Sequence, residues 1–239
     1  TNKLQTACRK PYVEDVNIAN KVVKYAVDTA SEGLWFRPGL LWPSKPGDKM
    51  QLVMAPISDA SHGNEEVYID EWEEREPFRS QGAKLVCLAS PDIWEKEQCM
   101  VHVLSFSSTI VSRVVTSTMK AETYQLAAVV ESSDLIRAAI CDAHGMLDRR
   151  NWESSAADFM RSLWSTDCKS CHDALGKPMT KGIDKRLGTE LASLRQYLWR
   201  ESGSHIPNHR MLEKNKPEQC TDRLRWIDTA RMIADCLTK

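Results

Sequence analysis

The chain has 239 residues, of which 42% are hydrophobic and 27% are charged, enough apolar content to bury a full core. The formal net charge of −1 at pH 7 gives no overall positive field, so any contact with nucleic acid requires a local basic patch. No apolar run reaches the ~18 residues of a membrane span, and eight cysteines in so large a chain need no disulfide framework. We therefore expect an intracellular protein that does not act at a membrane.

The first 48 residues are predicted to form a small helix-strand extension and a linker. Apolar residues recur at helical spacing over 13–27, with Asp15 as the expected N-cap, and 33–36 is predicted to be a short strand. Prolines and glycines over 38–47 provide the turns of a linker. Residues 49–239 are predicted to form the main domain. Because the chain opens in mid-pattern on Thr1, we expect a fragment of a longer polyprotein.

Three strands are predicted next, at 51–57, 83–89 and 100–106, where apolar and β-branched residues dominate. Their short connections favour an antiparallel arrangement. The strongly acidic segment 65–76 between the first two is predicted to be a solvated loop or a short helix.

The remainder alternates between helices and strands. Ser117 is predicted to cap the longest helix, 118–145, which carries an apolar stripe at helical spacing. The other predicted elements are helices 151–161, 171–175 and 186–199, strands 163–166 and 224–227, and a closing helix capped by Thr229. Strands followed by this alternation predict an α/β fold in which helices flank a mixed sheet.

Four acidic residues stand at the ends of these predicted elements. They are Asp59, Glu122, Asp167 and Asp235. Carboxylate oxygens are the ligands of hard divalent cations, and two such ions ~3.5–4 Å apart can activate water and stabilise the leaving oxygen in phosphodiester hydrolysis. Because Asp is also a common turn and capping residue, their spacing alone leaves a shared metal site and separate structural roles both open.

The residues around the four acids form recognisable motifs. These are Ser58-Asp59-Ala60, residues 117–122, residues 166–178 and the closing Ala234-Asp235-Cys236-Leu237-Thr238-Lys239, which is the most specific. Together they resemble the RNase H domain of copia-type LTR retrotransposon Pol polyproteins. Residues 19–25 with Gly33 and Leu34 are likewise similar to the segment that joins the reverse transcriptase to RNase H in those polyproteins.

The resemblance implies an RNase H-like five-stranded mixed sheet, with three strands antiparallel and the rest parallel, flanked by helices. It implies an endonuclease that hydrolyses the RNA strand of RNA:DNA hybrids during reverse transcription, in a cytoplasmic particle or in the nucleus. The reverse-transcriptase domain of the same polyprotein would be a partner. The resemblance makes Asp59, Glu122, Asp167 and Asp235 the catalytic ligands of two Mg²⁺ or Mn²⁺ ions.

Further residues are predicted to contact the hybrid, because an enzyme that cleaves a phosphodiester must neutralise backbone charge near its metals. They are Ser170, Lys177, Lys185 and Arg186. A solvated helix face explains the basic members of this set equally well.

Two alternatives stay open. The family usually carries Asn where this chain has Cys168, and its His-rich downstream segment corresponds to residues 184–191, which contain no His. These departures fit a degenerate retroelement remnant that keeps the fold and loses catalysis. Cys168 and Cys171 also have the spacing of zinc or haem-attachment cysteines, which would indicate a cysteine-based metal or redox module.

Overall fold

A computed structural model describes residues 12–34, 36, 52–68, 75–96, 98–111, 115–176, 184–198 and 222–238. The elements within these ranges are α1 (Val13–Asp28), β1 (Val53–Tyr68), β2 (Arg75–Ala89), β3 (Val101–Ile110), α2 (Thr118–Ala143), α3 (Trp152–Phe159), β4 (Leu163–Thr166), α4 (Lys169–Gly176), α5 (Lys185–Leu198) and β5 (Arg223–Trp226). Short 3₁₀ turns occur at Pro91–Trp94, Thr229–Arg231 and Ile233–Leu237. The predicted linker lies outside the described residues.

The strands form one five-stranded sheet in the order β3-β2-β1-β4-β5. β1 pairs antiparallel with β2, and β2 pairs antiparallel with β3, whereas β4 runs parallel to both β1 and β5. This topology confirms the predicted mixed sheet flanked by helices, and it has the RNase H-like arrangement of three antiparallel strands followed by two parallel ones. No helix within the described ranges combines the length and hydrophobicity needed to cross a membrane.

Alternating strand residues build a separate core on each face of the sheet. Met54 and Val86 face the larger core, where α2, α4 and α5 pack around the fully buried Trp164. Their neighbours Ala55 and Leu85 face the second core, which the C-terminal 3₁₀ turns cover. Burial of each large apolar side chain contributes about 1.5–3 kcal/mol, so the helical face provides most of the hydrophobic stabilisation.

β1 and β2 are longer than the sequence predicts. Asp59, expected directly after a strand, lies within β1 and pairs with Ala83 of β2. The acidic segment 65–76 was predicted to be a loop or short helix, but its ends belong to β1 and β2. The ladder continues because Gly63 adopts a positive φ of 67° and two register irregularities after Ser61 keep the backbones paired.

Local capping signals were correct for α2 and wrong at the chain's two ends. The Ser117 hydroxyl accepts a hydrogen bond from the Lys120 amide, as predicted for an N-cap. In α1 the N-cap is Tyr12, and Asp15 accepts the Tyr12 amide from the third helical position. The predicted strand at 33–36 is absent from its described residues. The closing helix is replaced by the two 3₁₀ turns, the first of them capped by Asp228.

Candidate metal centre at the edge of the sheet

The pairing of β1 with β4 determines where the first and third acids meet. Ile57 of β1 is opposite Ser165 of β4, and the two strands run in the same direction. Asp59 and Asp167 each lie two residues further along, so they reach the same edge of the sheet side by side. α2 packs across β1 and β2 and brings Glu122 to this edge from its second turn.

α2 approaches the sheet closely at Gly82, which pairs with Ala60 of β1. A Cβ atom at Gly82 would lie 2.2 Å from the Gln125 side-chain oxygen. Glycine therefore permits the approach that brings Glu122 within reach of β1: the Ala60 amide donates a hydrogen bond of 2.9 Å to Glu122 Oε1.

Three of the four predicted acids form one cluster. Carboxylate oxygens of Asp59, Glu122 and Asp167 all lie within 4.8 Å of one another, with the first two residues buried and the third partly exposed. Asp235, in the Ile233–Leu237 turn, is not a member of this group, but its charge contributes to a raised pKa at Asp59. The structure therefore brings three predicted ligands together and places the fourth nearby.

Glu122 is a buried carboxylate whose surroundings would suit a bound cation. Its Oε2 atom is buried and lacks a hydrogen-bond partner. Burial, followed by the charges of Asp59 and Asp167, raises the pKa of Glu122 to about 9. An unpartnered carboxylate oxygen beside two further carboxylates is costly in an apolar surrounding, and a divalent cation would remove that cost. The donor set, oxygen atoms only, suits Mg²⁺ or Mn²⁺.

Thr238 positions Asp59 in a way that sequence reasoning missed. Its hydroxyl donates a hydrogen bond of 2.5 Å to Asp59 Oδ2, although the two residues are 179 positions apart. Burial raises the pKa of Asp59, as do the charges of Asp167 and Asp235, while this hydrogen bond opposes the rise. In addition to Asp235, the closing motif thus supplies a hydrogen bond that orients the Asp59 carboxylate of the cluster.

Substitution of Thr238 tests that positioning role. We expect Thr238→Val, which keeps the volume and removes the hydroxyl, to weaken Mn²⁺ binding by about 10-fold, because lost outer-shell partners of metal ligands typically cost 10–100-fold. Thr238→Ser should restore binding, since it keeps the donor. Titration of Mn²⁺ monitored by calorimetry checks both. Equal affinities for the valine and serine variants would contradict the role.

An exposed tryptophan lies beside the third acid. Trp226, at the end of β5, donates from Nε1 to the Asp167 carbonyl oxygen at 2.8 Å while 42% of the residue stays exposed. The Lys169 ammonium lies 5.8 Å from the centre of its ring. Neither was predicted as a substrate contact, because no motif links a residue of β5 to one of α4. Together they place an aromatic surface and a positive charge next to the cluster.

The residues predicted to contact the substrate lie in different parts of the structure. Lys185 and Arg186 are exposed at the start of α5. Lys120 and Asp184 form an ion pair at 3.8 Å, which brings the N-terminal end of α5 beside the first turn of α2. Glu122 lies in the next turn of α2. Ser170 is exposed on α4, next to Cys168, whereas Lys177 lies outside the described residues. The contacts of these residues with a substrate stay a prediction.

The two cysteines of the predicted zinc or haem pattern have different surroundings. Cys171 is fully buried, accepts a hydrogen bond from the Thr123 hydroxyl, and has a pKa raised to about 12 by burial. Cys168 is partly exposed, and burial also raises its pKa. Within the described part of the chain, the group of side chains that could hold a metal ion contains carboxylates only. The geometry favours the carboxylate site over a cysteine-based module.

The fold and the cluster together define an α/β domain of RNase H-like topology with a three-carboxylate centre at the edge of its sheet. No protein-family model and no curated protein matches the chain. Among solved structures it is similar to LC11-RNase H1, isolated from compost by a metagenomic approach, with a TM-score of 0.41 and 11% identity. That alignment covers 77% of this chain and 91% of the other. The assignment of the fold rests on the strand order and directions described above.

Proposed function

We propose that the protein is a metal-dependent nuclease of the RNase H type, which hydrolyses the RNA strand of an RNA:DNA hybrid. The observation that carries this proposal is the buried, unpartnered Glu122 oxygen beside Asp59 and Asp167 at the sheet edge. Three clustered carboxylates destabilise the metal-free fold, and costly arrangements of this kind concentrate at functional sites.

Asp59, Glu122 and Asp167 would hold the first Mg²⁺ or Mn²⁺ ion, and Asp235 would help to hold a second. When bound, these ions supply an activated water and charge stabilisation at the phosphodiester. The protein's own groups fix the ligands: the Ala60 amide holds Glu122, the Thr238 hydroxyl holds Asp59, and the Trp226 indole holds the backbone at Asp167. Pre-orientation of the ligands lowers the cost of reaching the reactive geometry.

The surface around the cluster supports a nucleic-acid substrate. Lys169 and Trp226 lie beside Asp167, and Lys185 and Arg186 begin α5 next to the first turn of α2. Cationic side chains at this edge would offset the negative charge of the carboxylates and contact backbone phosphates. The exposed tryptophan offers a face on which a sugar or base can stack.

We also propose that the chain acts within a retrotransposon polyprotein, beside a reverse-transcriptase domain. The motif resemblance supports this setting. The amphipathic helix α1 supports it independently, because it has no buried residue and exposes Val13, Val23, Tyr25 and Val27. Such an apolar surface suits docking against a neighbouring domain.

Hybrid cleavage by the parent and by Asp167→Asn tests the function. We expect the parent to cut the labelled RNA strand of a hybrid with Mg²⁺ or Mn²⁺ and to leave single-stranded RNA, duplex RNA and duplex DNA intact. Asp167→Asn should lose about 10³-fold in rate, because it removes one charged ligand at constant volume. Asp173→Asn, on the neighbouring helix α4, is the matched control and should cut like the parent.

The outcomes separate the alternatives. Equal cleavage by parent and Asp167→Asn would show that the carboxylate cluster is not the active site. If the folded parent cut no substrate with either metal, the degenerate remnant would be the correct interpretation.

A further inference from the structure

Three arginines surround Trp94 at the end of the sheet opposite to the carboxylates. The guanidinium carbons of Arg161 and Arg223 lie 4.9 and 5.4 Å from the centre of the Trp94 ring, and Arg225 Nη2 donates to the Trp94 carbonyl oxygen at 3.0 Å. We call Trp94 with these three residues the arginine cluster. It combines three positive charges on a chain whose net charge is −1.

The register of the sheet separates this cluster from the metal centre. Arg223 begins β5 and pairs with Leu163, the first residue of β4, whereas Asp167 directly follows the last residue of β4. A strand of four residues spans about 13 Å, so the two groups lie at opposite ends of the same strands.

Two acids close in sequence to members of the arginine cluster are engaged with other cations. Asp222 binds Arg137 at 2.9 Å, and Asp92 binds Lys96 at 2.9 Å. Neither Arg223 nor Arg225 forms an ion pair with any residue that the structure describes. Arg223 and Arg225 therefore keep positive charges that no acid within the described residues pairs with.

Contact with the Trp94 ring restrains two guanidinium groups before any ligand arrives. The attraction between a guanidinium and an indole face is weak at the surface, about 0.5–1 kcal/mol, but it orients the N–H groups at the edge of each plane. An oriented guanidinium edge matches two oxygens of a phosphate, and less side-chain entropy is lost when the contact forms.

We propose that the arginine cluster is a second nucleic-acid binding site, which contacts backbone phosphates without base specificity. This site would bind a part of the nucleic acid other than the segment at the carboxylates, and this binding does not require catalysis. Nucleic acid fits better than an anionic membrane, because the three side chains converge on one ring, whereas membrane adsorption uses a broad basic face with apolar anchors.

The test measures binding of the whole chain to a labelled 20-nucleotide single-stranded RNA by fluorescence anisotropy. EDTA is present, so no cleavage occurs and the uncompensated carboxylates repel the probe. For the double variant Arg161→Gln with Arg223→Gln, we expect Kd to rise roughly tenfold. The slope of log K against log salt should fall in magnitude by about 1.4, because each lost contact to single-stranded RNA removes about 0.7.

Three comparisons make the result specific. Lys21→Gln with Lys24→Gln removes two exposed positive charges from α1 and should leave Kd and the salt slope unchanged. Arg161→Gln alone, at an exposed position, should lower the slope by about 0.7 if the double variant folds poorly. Cleavage of a short hybrid with Mg²⁺ should continue in every variant, so failure of this proposal and failure of the nuclease proposal are distinguishable.

Two results would overturn the proposal. One is RNA binding by the arginine variants with the parent's affinity and salt slope. The other is binding of the parent to phosphatidylserine vesicles, lost in the arginine variants, with no measurable binding of RNA.

Discussion

Glu122→Gln is expected to abolish hydrolysis and, at the same time, to stabilise the metal-free protein at alkaline pH. Glutamine keeps the volume of the side chain and an oxygen that accepts the Ala60 amide. It removes the charge that would hold the metal. Loss of about 4 kcal/mol of electrostatic stabilisation corresponds to roughly 10³-fold in kcat. Single-turnover cleavage of a hybrid measures the effect.

The matched control is Asp142→Asn, near the other end of the same helix α2, where the side chain is exposed. It removes one carboxylate and should leave kcat unchanged. If Glu122→Gln retained most of the parent's rate, Glu122 would not be a metal ligand, whatever its position in the cluster.

The stability effect follows from the raised pKa of Glu122. Burial and the charges of Asp59 and Asp167 raise this pKa from 4.5 to about 9. Between these pH values the folded protein keeps a proton that the unfolded chain releases. The parent's free energy of unfolding is therefore unaffected by this group below pH 4.5 and decreases as the pH rises towards 9, by about 3 kcal/mol at pH 7.

Glutamine does not titrate, so the variant should escape this loss. Urea unfolding in EDTA should give Glu122→Gln a higher free energy of unfolding than the parent at pH 8, and the difference should shrink towards pH 4.5. Added Mn²⁺ should stabilise the parent increasingly as the pH rises, because metal binding displaces the proton. Stability curves of parent and variant that stay parallel in pH would contradict the assignment.

Asp222→Asn is expected to cost about 3–5 kcal/mol of stability. Arg137 of α2 is 1% exposed and donates to both oxygens of Asp222, and Asp222 Oδ1 also accepts the Ser162 amide. Burial disfavours the charged Arg137, but Asp222 and Asp134 outweigh burial and raise its pKa. Neutralising Asp222 leaves a buried guanidinium with one acidic partner, and breaking a buried pair is costly.

Asp92→Asn provides the comparison, because it breaks an ion pair of similar length in an exposed setting. The Lys96–Asp92 pair spans one helical turn at 2.9 Å, with both side chains more than half exposed. Its loss should cost at most about 0.5 kcal/mol. Urea unfolding of both variants at pH 7 measures the difference. If the two substitutions cost the same, the buried network does not hold α2 to the starts of β4 and β5.

Features with local signals were predictable from the sequence. The Ser117 cap, the apolar stripe of α2 and the short buried strand β4 each depend on neighbouring residues, and the structure confirms them. The five-stranded sheet, with three strands antiparallel and the rest parallel, was expected only through the motif resemblance, and it is likewise confirmed. The ends of β1 and β2 were predicted wrongly, because acidic side chains were taken to indicate a solvated loop. Backbone hydrogen bonds between strands form whether or not the side chains are charged.

The geometry of the candidate site could be predicted only in part. The motifs identified the acids, but their meeting depends on the register of Ile57 opposite Ser165, which no local pattern specifies. The Thr238 and Trp226 hydrogen bonds join residues 179 and 59 positions apart, and the arginine cluster joins three separate segments. Such contacts arise from tertiary packing, so composition and periodicity carry no trace of them.

The hydrogen bond from Thr238 to Asp59 also bears on the order of events during folding. It closes a loop of 179 residues, which is a longer loop than any other side-chain hydrogen bond described above closes. The entropy of closing a loop grows with its length, so contacts of this separation form late, once the intervening helices and strands have already shortened the path between their ends. Upon refolding, the protein would thus regain its helices and its packed core before it regains a competent site, and enzymatic turnover would be the slowest signal to recover.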